Sequence, residues 1–182
     1  MEEHNVVGLA GEQIDSLSLE LKKVDEVAGC AIVSMKGYID TYNSPHFQRQ
    51  VDKAIQAGYS WLIFDFSAIT YISSAGVGAF ISFLKNVRPR GGDLVLVGMV
   101  PRVFEVFQLL GFANFFHTEQ SLEDAVELMK AQSHAEAEKL FPKIFSCPIC
   151  AKRLKTVRAG RFRCGECKTF LVVGDTGRVS LG

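Results

Sequence analysis

The sequence has no apolar segment long enough to span a lipid bilayer, because no stretch approaches the ~20 consecutive apolar residues of a transmembrane helix. Its first residues, Met1 to His4, are acidic, whereas a secretory signal peptide begins with basic residues. The protein is therefore expected to be cytoplasmic and to have no membrane span. Residues 1–14 show no hydrophobic period and are expected to form a flexible leader.

Recognisable catalytic motifs are also lacking. The sequence contains no G-x-S-x-G nucleophile motif, and its glycine-rich segments match neither a P-loop nor a dinucleotide-binding fingerprint. No histidine has a spacing that would pair it with a nucleophile, and the histidines are His4, His46, His117 and His134. These absences predict a protein that is not an enzyme.

The chain as a whole lacks an excess of either charge, since its 20 Lys and Arg balance 20 Asp and Glu. The charges are nevertheless distributed unevenly over the 182 residues. Residues 1–142 hold 11 basic and 18 acidic residues, a net charge of −7, whereas residues 143–182 hold 9 and 2, a net charge of +7. This asymmetry predicts two modules with different surfaces.

In the first module, short apolar segments alternate with amphipathic helical patterns. Strands are predicted at residues 17–21, 31–35, 61–66, 93–98 and 115–116, and helices are predicted to start at 44–45, 73–74, 101 and 121. The helix that starts at residue 101 is expected to bury Val103, Val106, Phe107 and Leu110. Strands and helices in this order predict an α/β fold with a mostly parallel or mixed sheet covered by helices.

Two serines connect a predicted buried strand to a predicted helix. The apolar run Trp61–Phe66, interrupted only by Asp65, is typical of a strand that is covered on both faces, and it is expected to end at a surface loop. After Ser73 and Ser74, apolar residues recur at helical spacing, at Val77, Phe80, Ile81, Leu84 and Val87. One of the two serines therefore lies at or beside the helix N-cap.

A serine at a helix start has two possible chemical roles. The first turn leaves backbone N–H groups without partners and carries the positive end of the helix dipole, so it stabilises an oxyanion. A phosphoserine there would add roughly 1.5 to 2 negative charges to the surface without repacking the core. Alternatively, Ser73 and Ser74 only cap the helix, which serine commonly does. The spacing leaves both interpretations open.

The sequence Tyr71-Ile72-Ser73-Ser74-Ala75-Gly76-Val77-Gly78 resembles the signature of STAS domains, the anti-sigma factor antagonist family. The resemblance extends over roughly residues 17 to 131 and implies a STAS-like mixed β-sheet with packed helices. Alignment on Gly76 places the family's phosphorylated serine at Ser74. Ser73, where many members have Asp, is an alternative acceptor, and Ala75 stands where many members have a second Ser or Thr.

The resemblance also implies a function and partners. It implies a non-enzymatic partner switch in transcription regulation, in which phosphorylation of the serine releases an anti-sigma factor or regulatory Ser/Thr kinase and a Ser/Thr phosphatase restores binding. The residues expected to form the partner-binding site are Asp65, Ser73, Ser74, Gly76 and Gly78. The alternative is a constitutive scaffold or a soluble subunit of a transport or sensory assembly, in which Ser74 only caps the helix.

The second module contains two Cys-x-x-Cys pairs, Cys147–Cys150 and Cys164–Cys167, separated by thirteen residues. Two such pairs can present four thiolates tetrahedrally to one Zn²⁺, so the module resembles a zinc ribbon with a structural metal. An iron–sulfur site and thiol redox chemistry are the alternatives. Cys30 stands apart from the pairs and is interpreted as a small buried residue.

Basic residues are concentrated around these cysteines, with Phe162 and Phe170 between them. These basic residues would relieve the net −2 charge of a Zn(Cys)₄ centre. Alternatively, they would bind nucleic acid, and the protein would then be a nucleic-acid-binding adaptor, the third candidate function after the switch and the scaffold. Nucleic acid is the less favoured partner. The predicted organisation is a leader at 1–14, a STAS domain at 15–131, a helical or flexible linker at 132–143 and a zinc ribbon at 144–182.

Overall fold

The computed structural model describes residues 16–174 and 177–182, and the side chains within these ranges except those of 136–140. The expected leader at 1–14 lies outside the described residues. The chain forms two compact units, which divide between Lys130 and Ala131. Each unit is described by itself.

The first unit alternates strands and helices. Its strands are β1 Leu17–Val24, β2 Cys30–Ile39, β3 Trp61–Ile72, β4 Asp93–Val97 and β5 His117–Glu119. Its α-helices are α1 Ser44–Gln56, α2 Ser74–Val87, α3 Pro101–Leu109 and the start of α4 Leu122–Leu140. Short 3₁₀ turns follow α2 at Arg88–Arg90 and precede β5 at Ala113–Phe115.

The five strands form one mixed sheet in the order β1-β2-β3-β4-β5. β1 and β2 pair antiparallel, with Leu17 opposite Gly37 and Val24 opposite Cys30. The pairs β2–β3, β3–β4 and β4–β5 are parallel. The mixed α/β sheet with packed helices that the sequence predicted is therefore confirmed, and the carboxyl ends of β2 and β3 lie at the same edge.

Helices bury both faces of the sheet. One face packs against α1, α2 and α3 through six phenylalanines that are at most 1% exposed: Phe47, Phe64, Phe66, Phe80, Phe83 and Phe107. The Phe64 and Phe80 ring centroids are 4.9 Å apart. On the other face, Trp61, Ile63 and Val95 pack against Ala125 and Met129 of α4. Burial on both faces explains the continuous apolar run at the start of β3.

The prediction that the Trp61 strand ends at Phe66 was wrong, because β3 continues to Ile72. Its partner β4 pairs with it only as far as Asp65, whereas β2 pairs along its whole length, with two register shifts. Beyond Asp65 the strand therefore has one neighbour and is half exposed. Of residues 67–72, only Ile69 and Ile72 are buried. The exposed residues of this segment led the sequence analysis to expect a loop there.

Two further predictions for the first unit were wrong. The short strand expected at 115–116 lies instead at His117–Glu119, after a 3₁₀ turn. Leu110, expected inside, is 40% exposed because α3 ends at Leu109 and Leu110 only caps it. Gly111 follows in a left-handed conformation, with φ +76°, and ends the helical turn.

In the described part of the second unit there are five short strands and the end of α4. Residues 132–140 of the predicted linker are therefore helical. β6 Lys143–Ser146 and β7 Arg153–Thr156 form one antiparallel hairpin. β8 Gly160–Arg163, β9 Phe170–Val173 and β10 Val179–Leu181 form a sheet in the order β10-β9-β8. This small β module agrees with the predicted fold class.

The first turn of α2 packs very closely on the sheet. A Cβ at position 76 would lie 2.7 Å from Ile39 Cγ2 and 2.7 Å from Ile72 Cγ1. Real Cβ contacts essentially never come this close, so only glycine fits without a shift of the helix or of the two strand ends. Position 78, in the same helix, has nothing within 4 Å of the equivalent point.

We predict that Gly76→Ala lowers the free energy of unfolding by roughly 1–3 kcal/mol, because the added methyl group overpacks the contact between α2 and the sheet. Gly78→Ala is the matched control, and it should be neutral or slightly stabilising because alanine favours helix by up to ~1 kcal/mol over glycine. Urea denaturation of the two variants measures the difference. Equal stabilities would contradict the close packing at position 76.

Candidate functional site

Ser73 connects the end of β3 to the start of α2. Its backbone N–H donates to the Ile39 carbonyl at the end of β2, with a distance of 2.7 Å. Its Oγ accepts a hydrogen bond of 3.2 Å from the Gly76 N–H, the geometry of a side-chain N-cap. Ser73 is only 8% exposed. Its hydroxyl is therefore buried and already engaged inside the protein.

Ser74 is the first residue of α2, and its side chain is exposed. The helix is 14 residues long and has no acidic residue in its first turn. The Ser74 hydroxyl thus stands in solvent beside the positive end of a helix dipole, where a negative group is favoured. The two serines therefore differ: the Ser73 side chain caps the helix, whereas Ser74 is exposed to solvent.

The turn between β2 and α1 lies beside the serine pair, because Ile39 accepts the Ser73 hydrogen bond directly before it. Asp40 Oδ1 accepts hydrogen bonds from the Tyr42 and Asn43 backbone N–H groups at 2.9 and 2.8 Å. Asn43 is 4% exposed and donates from Nδ2 to the Tyr38 carbonyl at 2.9 Å. These bonds fix the turn and leave the Tyr42 side chain 93% exposed.

Two more tyrosines are exposed near the ends of β2 and β3. Tyr38 and Tyr71 are register partners in the parallel pair and are 41% and 48% exposed. We call the exposed residues at the carboxyl ends of β2 and β3, in the turn before α1 and at the start of α2 the serine rim; they are Tyr38, Tyr42, Tyr71, Ser74 and Ala75. Sequence reasoning missed the tyrosines; the signal that marks Tyr38 and Tyr71 is their place one residue before the buried strand ends Ile39 and Ile72.

The other predicted site residues lie at different places. Gly78 is exposed one helical turn after Ser74, whereas Gly76 is buried against the strand ends. Asp65 accepts hydrogen bonds from the Ser67 N–H at 2.9 Å and from the Ser67 hydroxyl at 2.6 Å. Seven residues of strand, roughly 20 Å, separate Asp65 from the end of β3. Asp65 therefore organises the backbone after Phe66 rather than the serine turn.

The four cysteines of the second unit come together, with all sulfur atoms within 4.8 Å of one another. The Sγ–Sγ distance is 3.7 Å for Cys147–Cys167 and 3.7 Å for Cys150–Cys164. A tetrahedral Zn²⁺ site with Zn–S bonds of ~2.3 Å places its sulfurs about 3.8 Å apart. The donor set and its spacing therefore fit a structural metal ion, while the four thiols are not joined in disulfides.

The two Cys-x-x-Cys turns have the same backbone hydrogen bonds. Cys147 N–H donates to the Lys152 carbonyl at 2.8 Å, and Cys164 N–H donates to the Thr169 carbonyl at 2.9 Å. The Ala151 N–H donates to the Cys147 carbonyl at 2.9 Å, and the Lys168 N–H donates to the Cys164 carbonyl at 3.0 Å. Ala151 and Lys168 both have positive φ, 57° and 62°. Two equivalent turns thus present two thiols each to a common centre.

Local hydrogen bonds favour the thiolate that a metal requires at Cys167, whereas at Cys150 a hydrogen bond from the Lys152 backbone is outweighed by burial and the neighbouring thiols, which raise the thiol pKa to about 11. The Thr169 side chain, followed by the Thr169 backbone N–H, lowers the pKa of the Cys167 thiol to about 6. Cys30, by contrast, is fully buried, and its desolvation raises the thiol pKa to about 12. Cys30 therefore stays a neutral buried thiol, as its isolated position in the sequence predicted.

The mixed sheet and the exposed serine at a helix start define a small α/β domain of the regulatory type that the signature sequence resembles. Residues 19–125, more than half of the chain, match the family of the STAS domain. The chain belongs to the STAS domain family. Residues 144–182 match a second family, described as a domain of unknown function, DUF8512.

Similar proteins share the first unit. A Bordetella bronchiseptica protein described as an anti-sigma factor antagonist, BtrV, is 29% identical over 107 residues, which cover 59% of this chain and 92% of that protein. The anti-sigma-B factor antagonist of Listeria monocytogenes serovar 1/2a is 27% identical over 99 residues, which cover 54% of this chain and 85% of that protein.

Solved structures share the fold. The crystal structure of an anti-sigma factor antagonist from Mycobacterium paratuberculosis superposes with a TM-score of 0.55 and 20% identity, covering 65% of this chain and 97% of that chain.

Among the residues that the structure describes, no helix has the length and apolar composition needed to cross a bilayer.

We predict that the freshly purified protein contains about one zinc ion per chain, and that Cys164→Ser lowers the zinc content strongly because it removes one of four ligands. Metal binding supplies on the order of 10 kcal/mol of folding free energy in small zinc modules, so a chelator should unfold the second unit. Elemental analysis and amide exchange measure the two effects.

Cys30→Ala is the control for this experiment, because Cys30 lies in the core of the first unit and outside the cysteine cluster. It should leave the zinc content unchanged. Zinc well below one ion per chain in the unmodified protein, or full zinc retention by Cys164→Ser, would contradict the assignment.

Proposed function

We propose that this protein is a non-enzymatic partner switch whose serine rim binds an anti-sigma factor or regulatory Ser/Thr kinase and is released by phosphorylation of Ser74. The proposal rests on the different environments of the two serines: Ser73 is buried and caps α2, while the adjacent Ser74 is exposed. The names of the relatives supply the class of partner. A Ser/Thr phosphatase would restore binding.

Accessibility favours Ser74 over Ser73 as the acceptor. A kinase must take the hydroxyl into its own active site, and the Ser73 Oγ is buried with the Gly76 N–H bound to it. Phosphorylation of Ser73 would break this cap and push a charged group into the contact between α2 and the strand ends. The Ser74 hydroxyl is reached without any such change.

The release mechanism is a change of surface charge. A phosphate on Ser74 adds roughly 1.5 to 2 negative charges to an exposed position that is followed by the small residues Ala75 and Gly76. A partner that packs on the serine rim would have to desolvate this charge, which costs several kcal/mol without a cationic partner. The helix dipole stabilises the same phosphate by ~0.3–1 kcal/mol, so the fold itself tolerates it.

The surface around Ser74 is suited to close docking. Gly78 is exposed one turn along α2, and Ala75 adds only a methyl group. Gly76 contributes indirectly, because it lets α2 approach Ile39 and Ile72 and so sets the height of Ser74 above the sheet. Tyr42 and Tyr71, in neighbouring segments of the chain, expose large amphipathic rings of the kind enriched at protein interfaces.

The remaining parts of the chain have supporting roles in this proposal. The STAS domain takes up residues 15–131, the linker 132–143 and the zinc ribbon 144–182, with Zn²⁺ as a structural ion held by the four clustered cysteines. The protein would act in the cytoplasm, where its kinase, its phosphatase and the transcription machinery meet.

A constitutive scaffold is the second candidate, and one observation favours it. Ser73 occupies the position where many family members have Asp, so the acceptor lacks a neighbouring carboxylate. In a scaffold, Ser74 would stay unmodified and the serine rim would hold one partner permanently. The experiment below separates the two functions.

We predict that incubation with ATP and the Ser/Thr kinases of its own organism labels this protein on Ser74, as mass spectrometry of peptides will show. Ser74→Ala should abolish the labelling. Ser73→Ala is the matched control: it should retain labelling while losing ~1 kcal/mol of stability with the helix cap. Label on Ser73, or no label with any kinase, would contradict the switch, and the second result would favour the scaffold.

A further inference from the structure

The three-stranded sheet of the second unit has one basic and aromatic face. Arg161 and Arg163 are two residues apart on β8, so their side chains point to the same side of the sheet. In the antiparallel register, Arg163 lies opposite Phe170 and Arg161 lies opposite Val172. Cross-strand partners share a face, which brings two guanidinium groups, a phenyl ring and a valine together. Leu171 and Val173, on the other side, are buried.

A groove of about 430 Å³ lies along β8 and β9 and is lined by residues of both faces. It is lined by Arg161, Phe162, Arg163, Phe170, Leu171 and Gly182. Phe170 is 59% exposed, although phenylalanine is among the residue types that are most often buried. The groove is large enough for a small planar group to enter.

Arg163 is held in place over the ring. Its Cζ lies 5.4 Å from the centroid of the Phe170 ring, within the range of a cation–π contact. Its Nε donates a hydrogen bond of 3.0 Å to the Lys168 carbonyl, at the second Cys-x-x-Cys turn. The second Cys-x-x-Cys turn therefore positions a guanidinium that has further N–H donors for an anionic ligand.

The charge of the second unit selects the class of ligand. Residues 143–182 contain 9 basic and 2 acidic residues, so they remain at about +5 after a Zn(Cys)₄ centre contributes −2. The only ion pair described between side chains here joins Lys152 and Glu166 at 3.8 Å, both largely exposed. The second unit therefore keeps a net positive charge after its basic residues have balanced the metal centre. A polyanion is the complementary partner for such a surface.

We propose that this face binds single-stranded nucleic acid, with a base stacked on Phe170 and with phosphates contacted by Arg161 and Arg163. An exposed aromatic ring between cations is the arrangement that binds single strands without sequence preference. A duplex hides the faces of its bases and would use only the charges. An acidic peptide would likewise use the charges and leave the ring without a stacking partner.

The test uses the full-length, zinc-loaded protein and a fluorescein-labelled 15-nucleotide oligothymidylate, with fluorescence anisotropy measured from low to moderate salt. Phe170→Ala should weaken binding at least about fivefold, since one stacked base contributes ~1–3 kcal/mol. Arg161→Ala with Arg163→Ala should lower the slope of log K against log salt by about 1.4, because each lost phosphate contact removes ~0.7. Zinc content verifies that each variant is folded.

Arg49→Ala with Arg102→Ala, two exposed arginines of the first unit, is the charge-matched control and should leave affinity and slope unchanged. Ser74→Ala should also bind the oligonucleotide normally, so failure of the partner switch and failure of this proposal are distinguishable. Three results would overturn the inference: no binding at low salt, equal binding of single strand and duplex with no effect of Phe170→Ala, or equally tight binding of polyglutamate.

Discussion

One pair of hydrogen bonds holds the candidate site together: Ser73 donates from its backbone to Ile39 and accepts at its hydroxyl from Gly76. The first bond ties the start of α2 to the end of β2, and the second caps the helix. Glycine at position 76 lets the same helical turn pack closely on the Ile39 and Ile72 side chains. Because this residue cluster fixes where α2 begins, it also fixes that the next side chain, Ser74, faces solvent.

The folds of the two units are stabilised in different ways. In the first unit, phenylalanine rings buried between sheet and helices provide a core that a surface charge at Ser74 does not touch. In the second, the apolar cluster of fully buried residues is small, consisting of Cys147, Cys164 and Leu171, so the cysteine centre has to replace a core. The proposed switch is thus located in a unit with an aromatic core, whereas the second unit combines a basic surface with a cysteine cluster that can hold a metal ion.

Much of this organisation was predictable from local signals. The two-sided burial of Trp61–Phe66, the serines before a helical stripe and the spacing of the cysteines each depend on neighbours in sequence, and the structure places all three as expected. The missed features depend on partners distant in sequence. β3 extends to Ile72 because β2 pairs with it beyond the end of β4, and Tyr38 and Tyr71 become neighbours only when β2 and β3 lie side by side. Likewise, Arg163 meets Phe170 only through the register of β8 with β9.

The central claim is that charge at Ser74, and nowhere else on α2, breaks docking at the serine rim. Isothermal titration of the kinase that modifies the protein tests it most directly, with Ser74→Asp compared with Ser82→Asp, which places the same charge two helical turns further along α2. The account predicts that Ser74→Asp weakens binding roughly a hundredfold, as expected for a desolvated charge without a partner, while Ser82→Asp changes the affinity less than about threefold. Equal affinities of the two variants would contradict it.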